Sequence, residues 1–188
     1  MAKKGLKGLR YAIITESAAG AITYGGAKTP GHAISYAEDI TSNDAKLYGD
    51  DVVVESDTSF SGGTATIGID HEDIDVYADL LGHTIGTGGE LQKNPDDVAP
   101  YVGVGRVVVL SVNNTTIYRA KITRKMKFSL PSSDEATKGE SVEFGTYELS
   151  AQVLAPSDGS NWQLVKDFET AADAISYIET TLGGAVSA

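Results

Sequence analysis

Residues 50–82 carry the sequence DDVVVESDTSFSGGTATIGIDHEDIDVYADLLG, in which patterns typical of strands, a turn and a helix follow one another. The β-branched run at residues 52–54 predicts a strand. The Ser-Gly-Gly at residues 61–63 predicts a tight turn, because glycine adopts the positive φ that a reversal needs. Residues 64–70 alternate between small or polar and apolar side chains, the period of a half-buried strand. The stretch therefore predicts strand, turn and strand, with a helix directly after them.

The helix is expected near residues 70–81, where the sequence offers both a start and a stop signal. The carboxylate of Asp70 can accept a free N–H group of the first turn, and the acidic residues that follow lie near the positive end of the helix dipole. Gly82 can end the helix in the left-handed conformation. The apolar residues with helical spacing form one predicted stripe: Ile74, Tyr77, Ala78 and Leu81.

The rest of the chain indicates a single, mainly β domain that covers residues 1–188. Glycine makes up 21 of 188 residues, above the usual share of roughly 7%, and hydrophobic residues make up 41%, enough for a core. A second helix is predicted near residues 170–182, where Thr170 and Asp173 approximate a capping box. The two ends, residues 1–7 and 183–188, are expected to be flexible. Further strands are predicted at residues 5–15, 32–40, 107–112, 118–128, 142–154 and 162–166.

Residues 118–128 form the clearest amphipathic strand in the sequence. One parity is apolar and is interrupted only by Arg124, whereas the other parity carries Arg119, Lys121, Lys125 and Lys127. This pattern predicts a strand that packs on one face and is basic on the other.

Residues 41–63 are too polar for a core and too rich in Val and Tyr for a featureless loop. Asn43-Asp44 and Gly49-Asp50 are typical turn pairs. The segment therefore predicts a long β-hairpin or loop that projects from the domain.

Charge is distributed unevenly along a chain whose net charge is −11. Residues 11–105 carry 16 acidic and 3 basic side chains, whereas residues 106–127 carry 6 basic side chains and no acidic one. An acidic protein repels nucleic-acid phosphates, so specific DNA binding is disfavoured. Opposite charges in separate regions suit self-association, although a solvated surface tuned for solubility gives the same pattern.

The sequence contains no recognisable catalytic or metal-binding pattern. It has no cysteine, which excludes disulfides, thiolate metal sites and a cysteine nucleophile. His71 and His83 flank the predicted helix about 18 Å apart, too far to share a metal, and His32 stands alone. The carboxylates lack the ordered spacing of a calcium loop. We therefore expect no enzymatic activity, no cofactor and no metal.

Segments over nearly the whole chain resemble the major tail proteins of long-tailed, non-contractile (siphovirus-type) bacteriophages. The resemblance rests on LYGDD at residues 47–51, GGTATIGID at 62–70, YADLLG at 77–82, NW at 161–162, KDFET at 166–170 and AISYI at 174–178, and GLRYAI at 8–13 fits the first strand.

The resemblance implies a tail-tube fold, a β-sandwich or partial barrel with a flanking helix. Six subunits would form a ring, and stacked rings would form a hollow tube in the virion that conducts DNA into the host. The implied partners are further copies of the chain, a tape-measure protein inside the tube, and tail-tip and tail-terminator proteins at its ends. It implies no enzyme, no cofactor and no membrane insertion.

Two sets of residues are expected to serve the tube. The first is predicted to contact neighbouring subunits or rings: Asn43, Lys46, Leu47, Tyr48, Val52, Val54, Arg119, Lys121 and Lys125. The second is an acidic set predicted to face the lumen, where repulsion keeps DNA from sticking: Asp50, Asp51, Glu55 and Asp57.

Two other functions fit the same patterns. The chain could be the inner-tube subunit of a contractile phage tail or a related injection or secretion device, which a co-assembling sheath would reveal. It could also be a β-sandwich module that binds carbohydrate, which needs a surface row of exposed aromatic side chains. The candidates for such a row are Tyr24, Tyr36, Tyr48, Tyr101 and Trp162.

Overall fold

The computed structural model describes residues 2–18, 20–113, 115–131 and 146–184, and it confirms a mainly β protein with two helices. The strands are β1 (Ala2–Glu16), β2 (Ile22–Tyr24), β3 (Ala33–Ser42), β4 (Ala45–Gly49), β5 (Val52–Asp57), β6 (Phe60–Ile69), β7 (Thr84–Ile85), β8 (Leu91–Gln92), β9 (Tyr101–Val112), β10 (Thr115–Phe128), β11 (Tyr147–Val153) and β12 (Gln163–Phe168). The helices are α1 (Ile74–Leu81) and α2 (Ala171–Thr181). Of the strand predicted over residues 142–154, residues 142–145 lie outside the described residues.

One large antiparallel sheet, with strand order β2-β1-β9-β10-β11-β6-β3, forms what we call the body together with the two helices. Two strands share one edge of β10. β12 pairs with its first half, from Tyr118 to Thr123, and β11 pairs with its end, from Met126 to Phe128. The apolar side chains of β1 and β9 meet those of β6 and β11 in one cluster, as the two layers of a β-sandwich do.

Apolar side chains are buried on both faces of the β1–β9–β10 layer. On one face, the α1 core joins this layer to β6, β11 and α1; its fully buried members include Ile69, Leu80, Val102, Met126 and Leu149. On the other face, the α2 core lies under α2; it includes Val107, Ala120, Ile122, Ile178 and Leu182. The neighbours Tyr11 and Ala12 lie in different cores, because successive side chains of a strand point to opposite faces.

The alternation predicted that the apolar residues of β10 lie on a single face, but they are divided between two faces. Ala120 and Ile122 pack in the α2 core, whereas Met126 and Phe128 pack in the α1 core. The register of β10 against β9 shifts between Thr123 and Met126, which marks a β-bulge. A bulge adds one residue to a strand, so side chains of the same parity point to opposite faces before and after it. Arg124, the single interruption of the pattern, lies at this bulge.

The turn predicted at residues 61–63 is wrong, because these residues lie inside β6. β6 does not pair with β5; it pairs with β3 on one side and β11 on the other. Gly63 serves a close approach between strands: a Cβ there would lie 2.5 Å from the backbone oxygen of Asp39. Position 63 therefore requires glycine because of packing and not because of a turn.

Helix α1 starts later than predicted and buries a rotated face. Asp73, not Asp70, is its N-cap and accepts a hydrogen bond from the N–H of Asp75. Gly82 ends the helix with a φ of 74°, as predicted. Ile74 is exposed, and the buried residues are Val76, Tyr77, Leu80 and Leu81.

The N-terminal residues differ from the prediction, whereas the second helix agrees with it. Residues 2–7, expected to be a flexible end, belong to β1 and pair with β9. Thr170 caps α2 by accepting a hydrogen bond from the N–H of Asp173 at 3.2 Å. Residues 185–188 lie outside the described part of the chain.

Candidate interaction surface

A β-hairpin that we call the arm, residues 43–59, projects from the body. The sequence placed a hairpin or loop at residues 41–63, but residues 41–42 belong to β3 and residues 60–63 belong to β6. It continues the β3–β6 ladder: the N–H of Asn43 donates to the backbone oxygen of Ser59 at 2.8 Å. The side-chain amide of Asn43 also donates to Ser59 Oγ at 2.9 Å and to Asp57 at 3.3 Å. At the tip, Asp50 and Asp51 have φ values of 49° and 63°, the conformation of a type I′ turn.

The arm exposes apolar side chains that no other described part of the chain covers. Among the strands that the structure describes, β4 and β5 pair with each other and with no third strand, and every side chain described in the arm is exposed. Its large exposed apolar residues are Leu47, Tyr48, Val52, Val53 and Val54, with 62%, 64%, 64%, 45% and 66% of their surface accessible. Such clustered exposure, together with unpaired strand edges, is typical of a surface that binds another protein.

The arm is also strongly acidic. It carries five carboxylates, of Asp44, Asp50, Asp51, Glu55 and Asp57, and one lysine, Lys46. Lys46 lies 3.0 Å from Asp44. Hydrogen bonds from the N–H and hydroxyl of Ser59 and from the side-chain amide of Asn43 lower the pKa of Asp57. The four acidic residues predicted to face a lumen therefore lie together on the arm, and their orientation in an assembly stays a prediction.

The basic residues predicted on β10 have different surroundings. Arg119 makes a two-point contact with Asp167 of β12, at 2.6 and 2.8 Å, and this contact lowers the pKa of Asp167. Lys125 is buried, donates to Glu16 at 2.6 Å, and lies 4.1 Å above the ring of Tyr101. Lys125 cannot reach a neighbouring subunit without leaving these partners. Lys121 is half-buried.

A buried ion pair that sequence reasoning missed fixes the strand leading into the arm. Arg106 of β9 donates to Glu38 of β3 at 2.7 Å, and the two side chains are 4% and 12% exposed. Thr123 and Gln163 donate to the same carboxylate, both at 3.0 Å, and the ring of Tyr36 lies 3.6 Å from the Arg106 guanidinium. The one signal in the sequence is Arg106 itself, a lone charge in the apolar run at 102–110.

Two of the three histidines lie close together, although they are far apart in the sequence. His32 is not alone, because its ring and that of His71 contact the two oxygens of Asp70 at 2.9 and 2.7 Å. Partial burial alone would raise the pKa of Asp70, but hydrogen bonds from the His32 N–H and both rings lower it well below its usual range. His83 is buried against Asp97 at 2.7 Å. Among the described residues, no group of three or more histidine or carboxylate side chains could hold a metal ion.

Most of the aromatic side chains considered for carbohydrate binding have partners inside the protein. Trp162 stacks on Phe60 with ring centroids 4.7 Å apart. The rings of Tyr36 and Tyr101 are covered by Arg106 and Lys125, and Tyr24 donates its hydroxyl to the backbone oxygen of Arg124. Of these candidates, Tyr48 on the arm is the one that is largely exposed.

No protein-family model matches the chain, and comparison with curated proteins finds no significant match. Neither helix within the described ranges is long and apolar enough to cross a membrane.

Proposed function

We propose that this chain is the structural subunit of a bacteriophage tail tube, which self-assembles into stacked hexameric rings and forms the conduit for DNA ejection. The observation that carries the proposal is the arm, an acidic hairpin with five large exposed apolar residues. Exposed valines contribute a favourable free energy only when a partner removes them from water, and the gain is roughly 25 cal/mol per Å² of apolar surface buried. A further copy of the chain is the partner that a tube supplies.

The charge of the subunit supports passage of DNA without binding. A net charge of −11 repels phosphates, and the acidic residues Asp50, Asp51, Glu55 and Asp57 are proposed to line part of the lumen. The tape-measure protein would occupy this lumen before ejection, and tail-tip and terminator proteins would close the ends. A map of the assembled tube in which the lumen residues are net basic would contradict the lumen proposal.

An inner tube of a contractile tail or injection device is the second candidate, since the same self-associating subunit would serve it. A sheath protein that polymerises around the tube would decide in its favour. The carbohydrate-binding alternative is weaker, because Tyr36, Tyr101 and Trp162 are engaged within the protein.

Negative-stain electron microscopy of the purified, concentrated protein tests the proposal. We expect rings or tubes about 100 Å across, from six domains of ordinary compactness. A protein that stays monomeric at high concentration in both microscopy and sedimentation would contradict it.

A further inference from the structure

On the β1–β9–β10–β12 layer, the face opposite α2 extends past the residues that pack in the α1 core. Directly paired residues of neighbouring strands point to the same face. Lys121 is opposite Arg106 and Val165, and Arg119 is opposite Val108, which is opposite Leu6. We call this surface the basic patch and define it by Lys3, Leu6, Val108, Ile117, Lys121 and Val165.

Positive charge on the basic patch is only partly neutralised within the chain. Arg106 is paired with Glu38, and Arg119 with Asp167. No ion pair in the described part of the chain joins Lys3 or Lys121 to a carboxylate. Burial, then the positive charges of Arg106, Lys3 and Arg119, lower the pKa of Lys121, although Glu38 opposes them. A negatively charged partner would relieve this repulsion.

The basic patch is also partly apolar. Val165 is 51% exposed in the middle of β12, and Leu6, Val108 and Ile117 are half-buried. The arm has the complementary composition, with exposed valines and leucine between carboxylates. Because the side chains of the arm are exposed, they do not cover the basic patch of their own chain.

We infer that the arm of one copy binds the basic patch of a second copy, with its acidic tip beside Lys3 and Lys121 and its valines over Val165. In this contact Asp50 and Asp51 face the second copy, so of the acidic set proposed for the lumen Glu55 and Asp57 remain available to face it. This inference rests on the proposed self-association and names the two surfaces that meet. Since arm and patch are different surfaces, the contact is head-to-tail, and repeated head-to-tail contacts build rings or open filaments. The same contact would therefore propagate an assembly instead of ending at a dimer.

Cross-linking between two single-cysteine variants tests the inference, because the natural chain contains no cysteine. Val54→Cys on the arm is mixed with Val165→Cys on the basic patch, and a short bis-maleimide reagent is added to the full-length proteins. The matched control replaces Val165→Cys by Lys166→Cys, because Lys166 is an exposed neighbour that lies on the opposite face of β12, the face on which α2 packs. We expect several-fold more mixed dimer with Val165→Cys than with Lys166→Cys. The yield should fall in about 1 M salt, where the Debye length is about 3 Å.

The outcomes separate this inference from the proposed function. Rings or tubes that form while the two cysteines at 165 and 166 cross-link equally would overturn the inference and leave the proposed function standing. If the protein neither assembles nor cross-links at high concentration, both the inference and the proposed function are overturned.

A charge exchange provides an independent check. Lys3→Glu with Lys121→Glu, and separately Asp50→Lys with Asp51→Lys, should each weaken assembly. All four changes in one chain should restore it, whereas failure to restore it in a folded protein would count against this contact.

Discussion

The arm and the β1–β9–β10 layer are both rich in valine, but the layer buries its valines and the arm exposes them. Val102, Val104 and Val107 of β9 are at most 1% exposed and serve two cores from one strand. Val52 and Val54 of the arm are about two-thirds exposed, on a hairpin that no other described residues cover. Burying such side chains is worth roughly 1.5–3 kcal/mol each. The body therefore buries its valines when it folds, whereas the arm leaves its valines exposed.

The largest effect on the body is expected from the ion pair below the arm. Glu38→Ala leaves the buried charge of Arg106 unpaired, so the free energy of unfolding should fall by about 3–5 kcal/mol. Urea denaturation followed by the fluorescence of Trp162, the single tryptophan, measures this. Replacing both partners, with Glu38→Leu and Arg106→Met, should recover most of the loss. A loss below about 1 kcal/mol in Glu38→Ala would contradict the role of this pair.

Matched truncations compare body and arm directly. Ile178→Ala in the α2 core should lower the free energy of unfolding by about 2–5 kcal/mol, because it opens a cavity above β9. Val54→Ala on the arm should change it by less than about 0.5 kcal/mol, because the side chain is exposed. Equal changes in the free energy of unfolding of the two variants, measured in the same denaturation experiment, would contradict the difference in burial between body and arm.

The tip of the arm separates its local folding from its proposed binding. Asp50→Asn with Asp51→Gly gives the preferred type I′ pair, so the hairpin should gain up to about 1 kcal/mol. Hydrogen exchange should show slower exchange in the arm, with an unchanged melting temperature of the body. Assembly should weaken, since two negative charges are lost. Stronger assembly would show that hairpin order, and not tip charge, limits the contact.

A smaller, pH-dependent effect is expected at Asp70, where His32, the residue before β3, meets the loop before α1. The pKa of Asp70 is lower in the folded protein than the value of about 3.9 in an unfolded chain. Its contribution to stability is therefore present above this value and is lost as the pH falls through the folded-state pKa. Asp70→Asn should melt below the wild type at neutral pH, and the gap should narrow in acid. A gap that stays constant from neutral to acidic pH would contradict this.

Local chemistry in the sequence predicted several elements, because their causes are local. The left-handed stop at Gly82, the cap at Thr170 and the arm all follow from neighbouring residues. The turn predicted at residues 61–63 was wrong, because Gly63 is required by its close contact with Asp39 of β3, which lies 24 residues earlier in the sequence.

The parts that sequence could not give depend on pairing between distant strands. The β10 bulge decides which core each apolar residue enters, and alternation alone does not reveal a bulge. The basic parity of β10 likewise gave no hint that Lys125 is buried against Glu16, or that Arg106 pairs with Glu38. Of the candidate surface, composition indicated the arm, whereas the basic patch required the register of four strands.

Removing the arm tests most directly whether it serves assembly and not folding. Residues 44–58 can be replaced by Asn-Gly, because Asn43 and Ser59 are already hydrogen-bonded and a short turn closes the gap. We predict a melting temperature within about 2–4 °C of the full chain, the shift that about 1 kcal/mol produces in a domain of this size. Under conditions where the full chain forms rings or tubes, electron microscopy should show none. Tubes of normal length from the armless protein, or a body that no longer folds, would contradict the account.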